Sequence, residues 1–273
     1  MPNHVKNSIT INADAATVQQ IVSELSTHYP KVESTDYDGN LIFENANGSY
    51  GWLDPKTNKF KRRDMEDVDG VPEGYEQKYN DAWTRFPDFS KIVECPLEDV
   101  ESNGSLSPLE NPFSKHEMMK AHFDQLLQRR ERMGEESYQK HVENFLKGCK
   151  NYLLHGYATW YSWNTEHWGT KWNAYDCEKV ADNAFTFDTA WSCVIDLVKK
   201  MAERYPSAEF VYEYSDEGTG SNCGSYRIKG DQVEGGAVAN MSNEAYELAF
   251  KLRPDSKEYY KLVDGKYEYA EED

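Results

Sequence analysis

No stretch of this 273-residue chain approaches the ~18 uninterrupted apolar residues of a membrane-crossing helix. Its opening, MPNHVKNSITINA, lacks the apolar core of an export signal. With a mean hydropathy of −0.85, no membrane partner is expected, and the expected location is the cytoplasm. Cysteine is sparse. The five residues Cys95, Cys149, Cys177, Cys193 and Cys223 are odd in number and never spaced as CxxC, which argues against a disulfide framework and a structural zinc site. Positive charge is short as well: 30 Lys and Arg against 48 Asp and Glu leave a formal charge of −18. Nucleic-acid binding relies on cationic side chains that release counterions, so direct nucleic-acid binding is not expected. Such acidity favours solubility, a basic protein partner or nucleic-acid mimicry.

Catalytic signatures are equally scarce. Neither a Walker lysine motif nor a GxSxG elbow occurs. His116-Glu117 is followed by His122 at i+6, about 120° round a helix, so the two imidazoles cannot grip one metal. Gly218-x-Gly220-x-x-x-Gly224 misses the dinucleotide spacing and leads into a strand, so it reads as a hairpin turn. Asp67, Asp69, Gly70 and Glu76 match four positions of a calcium loop, but Met65 occupies its first ligand position. No metal and no cofactor is expected.

What is present is a repeated strand-helix grammar. Residues 4–12 alternate as a strand, Asp14 reads as an N-cap, and Val18, Ile21, Val22 and Leu25 form one helical stripe before Pro30. A shift of 176 positions lays 185–206 over 9–30. Val18 then meets Val194, Ile21 meets Leu197, Leu25 meets Met201, and Tyr29-Pro30 meets Tyr205-Pro206. Residues 208–214 and 225–229 read as strands around a glycine turn, and Asn47-Gly48 reads as a hairpin between 41–44 and 49–53. Two strand-helix units feeding antiparallel strands predict an α+β fold with helices on one sheet face, the split βαβ plan.

The middle of the chain departs from that grammar. Residues 54–88, charged and broken by Pro and Gly, read as a long surface excursion, and 96–113 as a loop. Ser114 and Glu117 form a capping box for a helix running to about Met133. A break at Gly134 precedes a second helix over about 137–155, with Phe145, Cys149, Tyr152 and Leu153 on one face. The tail KYEYAEED reads as an acidic end or frayed edge strand. The expected organisation is one composite domain: 1–96 as its N-terminal half, 97–159 as an inserted helical segment, and 160–273 as its C-terminal half.

The densest unusual stretch is WYSWNTEHWGTKWNAYD, Trp160 to Asp176. Its aromatics either lock the inserted helices onto the sheet or form a platform on which a ligand stacks, oriented by Lys171 and Asp176. With Phe187-Asp188-Thr189-Ala190-Trp191, Phe89–Pro96 and the opening Met1-Pro2-Asn3, it resembles the YubB-like family of phage and plasmid proteins. The resemblance implies a mobile-element origin, a bacterial host cytoplasm, a ferredoxin-like domain and, over Phe89–Pro96, a strand. It carries no catalytic residue. Candidate ligand- or partner-binding residues are Trp168, Lys171, Trp172, Asn173, Tyr175, Asp176, Asp188 and Trp191.

Three functions follow as expectations. The first is a non-enzymatic accessory protein that meets a host protein, such as a defence or DNA-processing factor, through an acidic surface. The second is a small-ligand module of nucleotide type built on the 160–176 aromatics. The third, a metal-dependent hydrolase, rests only on abundant carboxylates and a possible Glu166-His167 and Asp176 pairing.

Overall fold

Alternation along the opening strand decides which face of the main sheet is core. The structure is a computed structural model that describes residues 3–63, 66–100, 120, 124, 125, 127, 128, 130, 132 and 134–270. Met1-Pro2, Met65, the 101–113 part of the loop, the Ser114/Glu117 cap, the His116/His122 pair and the last three residues lie outside the described residues. The chain divides into two compact units, Met1–Ser26 with Phe86–Asp273, and Thr27–Arg85.

In the first unit, β1 (His4–Asn12) buries Val5, Asn7, Ile9 and Ile11 and turns its other residues the opposite way. It joins β11 (Tyr175–Ala181), β12 (Ala184–Ala190), β13 (Glu209–Asp216), β14 (Cys223–Lys229) and β15 (Gln232–Val238) in one sheet. The strand order is β11-β12-β1-β13-β14-β15, and all neighbours are antiparallel. β12 and β13, linked through helix α5 (Ile195–Arg204), thus flank β1, which is a split βαβ crossover.

Helix α1 (Ala15–Leu25) begins at Asp14, whose carboxylate accepts from the Thr17 amide at 3.0 Å. Val18, Ile21 and Leu25 of α1 share a core with Leu197, Val198 and Met201 of α5 and with Ile9, Phe187 and Phe210 of the sheet. The two helical stripes are therefore matched in burial, as the repeat predicts. Their ends are not. Tyr205 closes α5 directly before Pro206, whereas α1 stops at Leu25 with Ser26 extended. Thr27–Tyr29 instead forms a strand, β2, paired with β10 (Trp83–Arg85). The shared Tyr-Pro is not a common helix terminator; strand pairing decides the first copy.

Further helices surround this core. α2 (Phe89–Ile92) replaces the strand implied for Phe89–Pro96: Asp88 accepts from the Ser90 amide at 3.0 Å, and Phe89 is fully buried. The described residues between 120 and 132 are helical, and the chain breaks at Gly134 with φ 79°. α3 (Glu135–His155) follows. Phe145, Cys149 and Tyr152 lie in a small cluster with Tyr138, Val142, Val100 and Ala158. Leu153, expected on that face, is 82 % exposed. It projects about 80° from Phe145, off a stripe that continues toward the N-terminus instead. α4 (Trp160–Trp168) ends on Gly169 with φ 77°. α6 (Asn243–Leu252), capped by Ser242, packs Ala245, Leu248 and Ala249 on Cys223. Because Cys223 alternates with the core-facing Gly224 and Tyr226, α6 covers the sheet face opposite α1 and α5. Helices therefore lie on both faces. A hairpin, β16 (Tyr260–Val263) with β17 (Lys266–Tyr269), contains the start of the predicted tail.

In the second unit, the stretch expected as a surface excursion contributes most of a five-stranded sheet. Its strands are β4 (Leu41–Asn45), β5 (Tyr50–Asp54), β6 (Lys59–Arg62), β7 (Val68–Asp69) and β8 (Tyr75–Gln77), in the order β7-β6-β5-β4-β8. The Asn47-Gly48 hairpin forms as predicted, with Asn45 Oδ1 accepting from the Asn47 and Ser49 amides. Phe43 and Phe60 fill its small core, and β3 (Val32–Glu33) pairs with β9 (Tyr79–Asn80).

Candidate functional site

Gly169 ends α4 and turns the chain back along β12, so the stretch expected to carry function is assembled by one tight turn. Thr170 Oγ1 donates to the Ala190 carbonyl at 2.8 Å, and Asn164 Nδ2 donates to the Lys171 carbonyl at 2.9 Å. The first bond holds the turn against the end of β12, where Trp191 follows, and the second ties it to α4. Trp191 has φ 70°, an uncommon conformation for a bulky residue, and its amide donates to the Asn3 carbonyl at 2.8 Å.

The eight candidates separate into three groups. Trp168 and Asn173 are structural. Trp168 is 6 % exposed, sits edge-on to Phe89 and Trp163, and donates Nε1–H to the Val93 carbonyl at 2.9 Å. Asn173 Oδ1 accepts from the Phe89 and Ala174 amides while its Nδ2 donates to Asp88 at 2.7 Å. It therefore holds α2 to the turn.

Lys171, Trp172 and Trp191 form the exposed group. The Lys171 ammonium lies 3.9 Å from the centre of the Trp172 ring and 3.9 Å from that of Trp191, a cation held between two indoles. Trp172 is 40 % exposed and Trp191 46 %. Asp176 is exposed on β11 with φ 48°.

Tyr175 and Asp188 form the third group, on the sheet face opposite the α1–α5 core. They are paired in register across β11 and β12. Asp188 is buried, with Lys6 Nζ 3.2 Å from its Oδ1. Tyr175 shares a 2.7 Å hydrogen bond with His4 Nδ1. Burial, helped by the negative charges of Asp188 and Asp176, pushes its phenol up to about 12. Lys6, His4 and Arg253, which donates to the His4 carbonyl at 2.9 Å, carried no signal in the sequence. Strand register and chain return bring them here from positions far apart.

This arrangement suits recognition more than proton transfer. His167 Nδ1 donates to the Trp163 carbonyl at 2.9 Å and its ring stacks on Trp163 at 4.3 Å, which is a packed role. Tyr175 keeps its proton throughout the neutral range. Among the described residues, no group of three or more His, Cys, Asp or Glu is placed to hold a metal.

Residues 168–252 match the family model described as a ferredoxin-like domain in Api92-like protein. A ferredoxin-like domain is thus present, and it contains all eight candidates. No curated protein and no solved structure matches the chain.

Proposed function

We propose that this is a non-enzymatic accessory protein of a phage or plasmid that binds a host protein, with the Trp172–Lys171–Trp191 stack at the centre of the contact and acidic surface around it. The observation that carries the reading is the exposure of two indoles on either side of a shared cation. Exposed tryptophans with prearranged rotamers are what protein interfaces use as anchors, because little side-chain entropy is lost on docking. The strained φ of Trp191 supports the same view, since a fold that holds a large apolar residue outward in a rare conformation gains no core from it. The mobile-element origin rests on the resemblance of the 160–191 stretch. We also read the ferredoxin-like plan as completed by β1 and α1, outside the matched segment, with the helical residues before α4 inserted into it.

A nucleotide-type ligand at these aromatics is the weaker reading. Lys171 already fills the space between the indoles, and Trp168 is in the core. The hydrolase reading is weaker still, as His167 is bonded to the Trp163 carbonyl and stacked on its ring.

Immobilised protein should retain a specific host protein from bacterial lysate at low salt, and retain less as salt rises. The Trp172→Ala/Trp191→Ala double variant, folded by circular dichroism, should lose that same protein. Equal retention by both forms would sink this assignment of the surface.

A further inference from the structure

Lys171 directs its charge at rings rather than at a carboxylate. Its ammonium lies 3.9 Å from the centre of the Trp172 ring and 3.9 Å from that of Trp191. Among the described residues, no ion pair involves it, although the chain carries 48 Asp and Glu. Both indoles turn a face to that one point, and each lies at contact distance for a cation. Both are also open to solvent. Carboxylates gather beside them. Tyr175 stands edge-on to Trp172 at 6.2 Å, and the charges of Asp188, Asp176 and Glu217 act on Tyr175 against that of Arg253, with Lys6 paired to Asp188. An ammonium is compact and strongly hydrated, so exposed rings hold it only weakly. A guanidinium is planar, less hydrated and stacks flat on aromatic faces.

On the reading that this surface is the protein contact, we propose that the Trp172–Trp191 pair is the seat of an arginine side chain from the bound protein, and that Lys171 occupies the seat until that arginine displaces it. The incoming guanidinium gains a ring face on each side, whereas Lys171 gives up little on returning to water. The seat accepts the arginine only when Lys171 has left it, so the resident lysine lowers the apparent affinity in proportion to its occupancy. The net charge of −18 draws a basic segment toward this surface, an attraction that salt screens.

Indole fluorescence of the full chain, titrated with end-capped Gly-Arg-Gly, Gly-Lys-Gly and Gly-Glu-Gly peptides, tests it. Lys171→Ala keeps the backbone carbonyl that Asn164 binds, and its fold is checked by circular dichroism. It should bind the arginine peptide about tenfold more tightly than the unaltered protein does. The lysine peptide should bind more weakly than the arginine one, and the glutamate peptide should give no response. Trp172→Ala/Trp191→Ala should respond to none of the three. Lys171→Ala should also retain the host protein from lysate to higher salt than the unaltered protein. Equal binding of the arginine peptide with and without Lys171 overturns the proposal, as does a lysine or glutamate peptide that binds as tightly. Weaker retention of the host protein by Lys171→Ala overturns it too, because Lys171 would then be a contact and not a placeholder. If the peptides fail while Trp172→Ala/Trp191→Ala still loses the host protein, the arginine seat falls and the surface assignment stands. Equal retention of the host protein by that double variant removes both.

Discussion

At the scale of single residues, burial sets the chemistry of the tyrosines. Tyr205 is pushed up to about 12 by burial and by its hydrogen bond to Glu24, and Tyr175 reaches a similar value beside Asp188 and Asp176. Tyr212, fully buried with its hydroxyl donating to Asn7 at 2.6 Å, lies well above the ordinary 10.0. All three phenols stay protonated in the folded protein at a pH where the unfolded chain loses their protons. The contribution of Tyr175 and Tyr205 to stability is complete below pH 10 and is lost as pH rises from 10 through about 12, and that of Tyr212 is likewise complete below pH 10. Denaturant melts across that window should show a midpoint that falls steadily, with a shallower fall in Tyr175→Phe. A midpoint that stays flat to pH 12 would refute the shared cause. His4, from near the start of the chain, helps complete the surroundings of Tyr175, and no local pattern could have disclosed it.

At the scale of elements, the duplicated strand-helix unit was legible because amphipathic spacing is a local property. Val18 and Val194 are both buried, and so are Leu25 and Met201. Where each helix stops was not legible, since Thr27–Tyr29 yields to pairing with Trp83–Arg85. The short strands of the second unit were missed for a related reason. Lys59–Arg62 carries one apolar residue, Phe60, and it counts only because Gly51 on the facing strand leaves room for its ring. A Cβ at Gly51 would lie 2.1 Å from Phe60 Cζ, while one at Gly236 meets nothing within 4 Å. Gly51→Ala should therefore destabilise the protein by about 1–3 kcal/mol in chemical denaturation. Gly236→Ala should stay within about 0.5 kcal/mol. Equal effects would show that the Phe60 contact is not what requires the glycine.

At the scale of the whole molecule, the 27–85 unit is an excursion that leaves and returns at adjacent points. Thr27 pairs with Arg85 across β2 and β10, and paired antiparallel residues lie only about 5 Å apart. A short Gly-Ser link from Ser26 to Phe86 can therefore replace it without stretching the first unit. The shortened protein should keep a cooperative thermal transition and still expose Trp172 and Trp191 to a solvent quencher. Non-cooperative melting would mean that the first unit does not stand alone. The net charge of −18 acts at this scale too, as a negative field of the whole chain, but it does not select a fold.

Composition and periodicity alone determined the α+β character, the opening strand with its Asp14 cap, the matched helical stripes, the Asn47-Gly48 hairpin and the break at Gly134, because each depends on neighbours within a few positions. Tertiary structure alone decided which of the dense aromatics are core and which are surface. Trp168 and Trp172 are four residues apart and chemically identical, yet one donates to Val93 in the interior and the other shares a lysine with Trp191 in solvent. That difference comes from a glycine turn and from contacts with chain segments about 20 to 75 residues away.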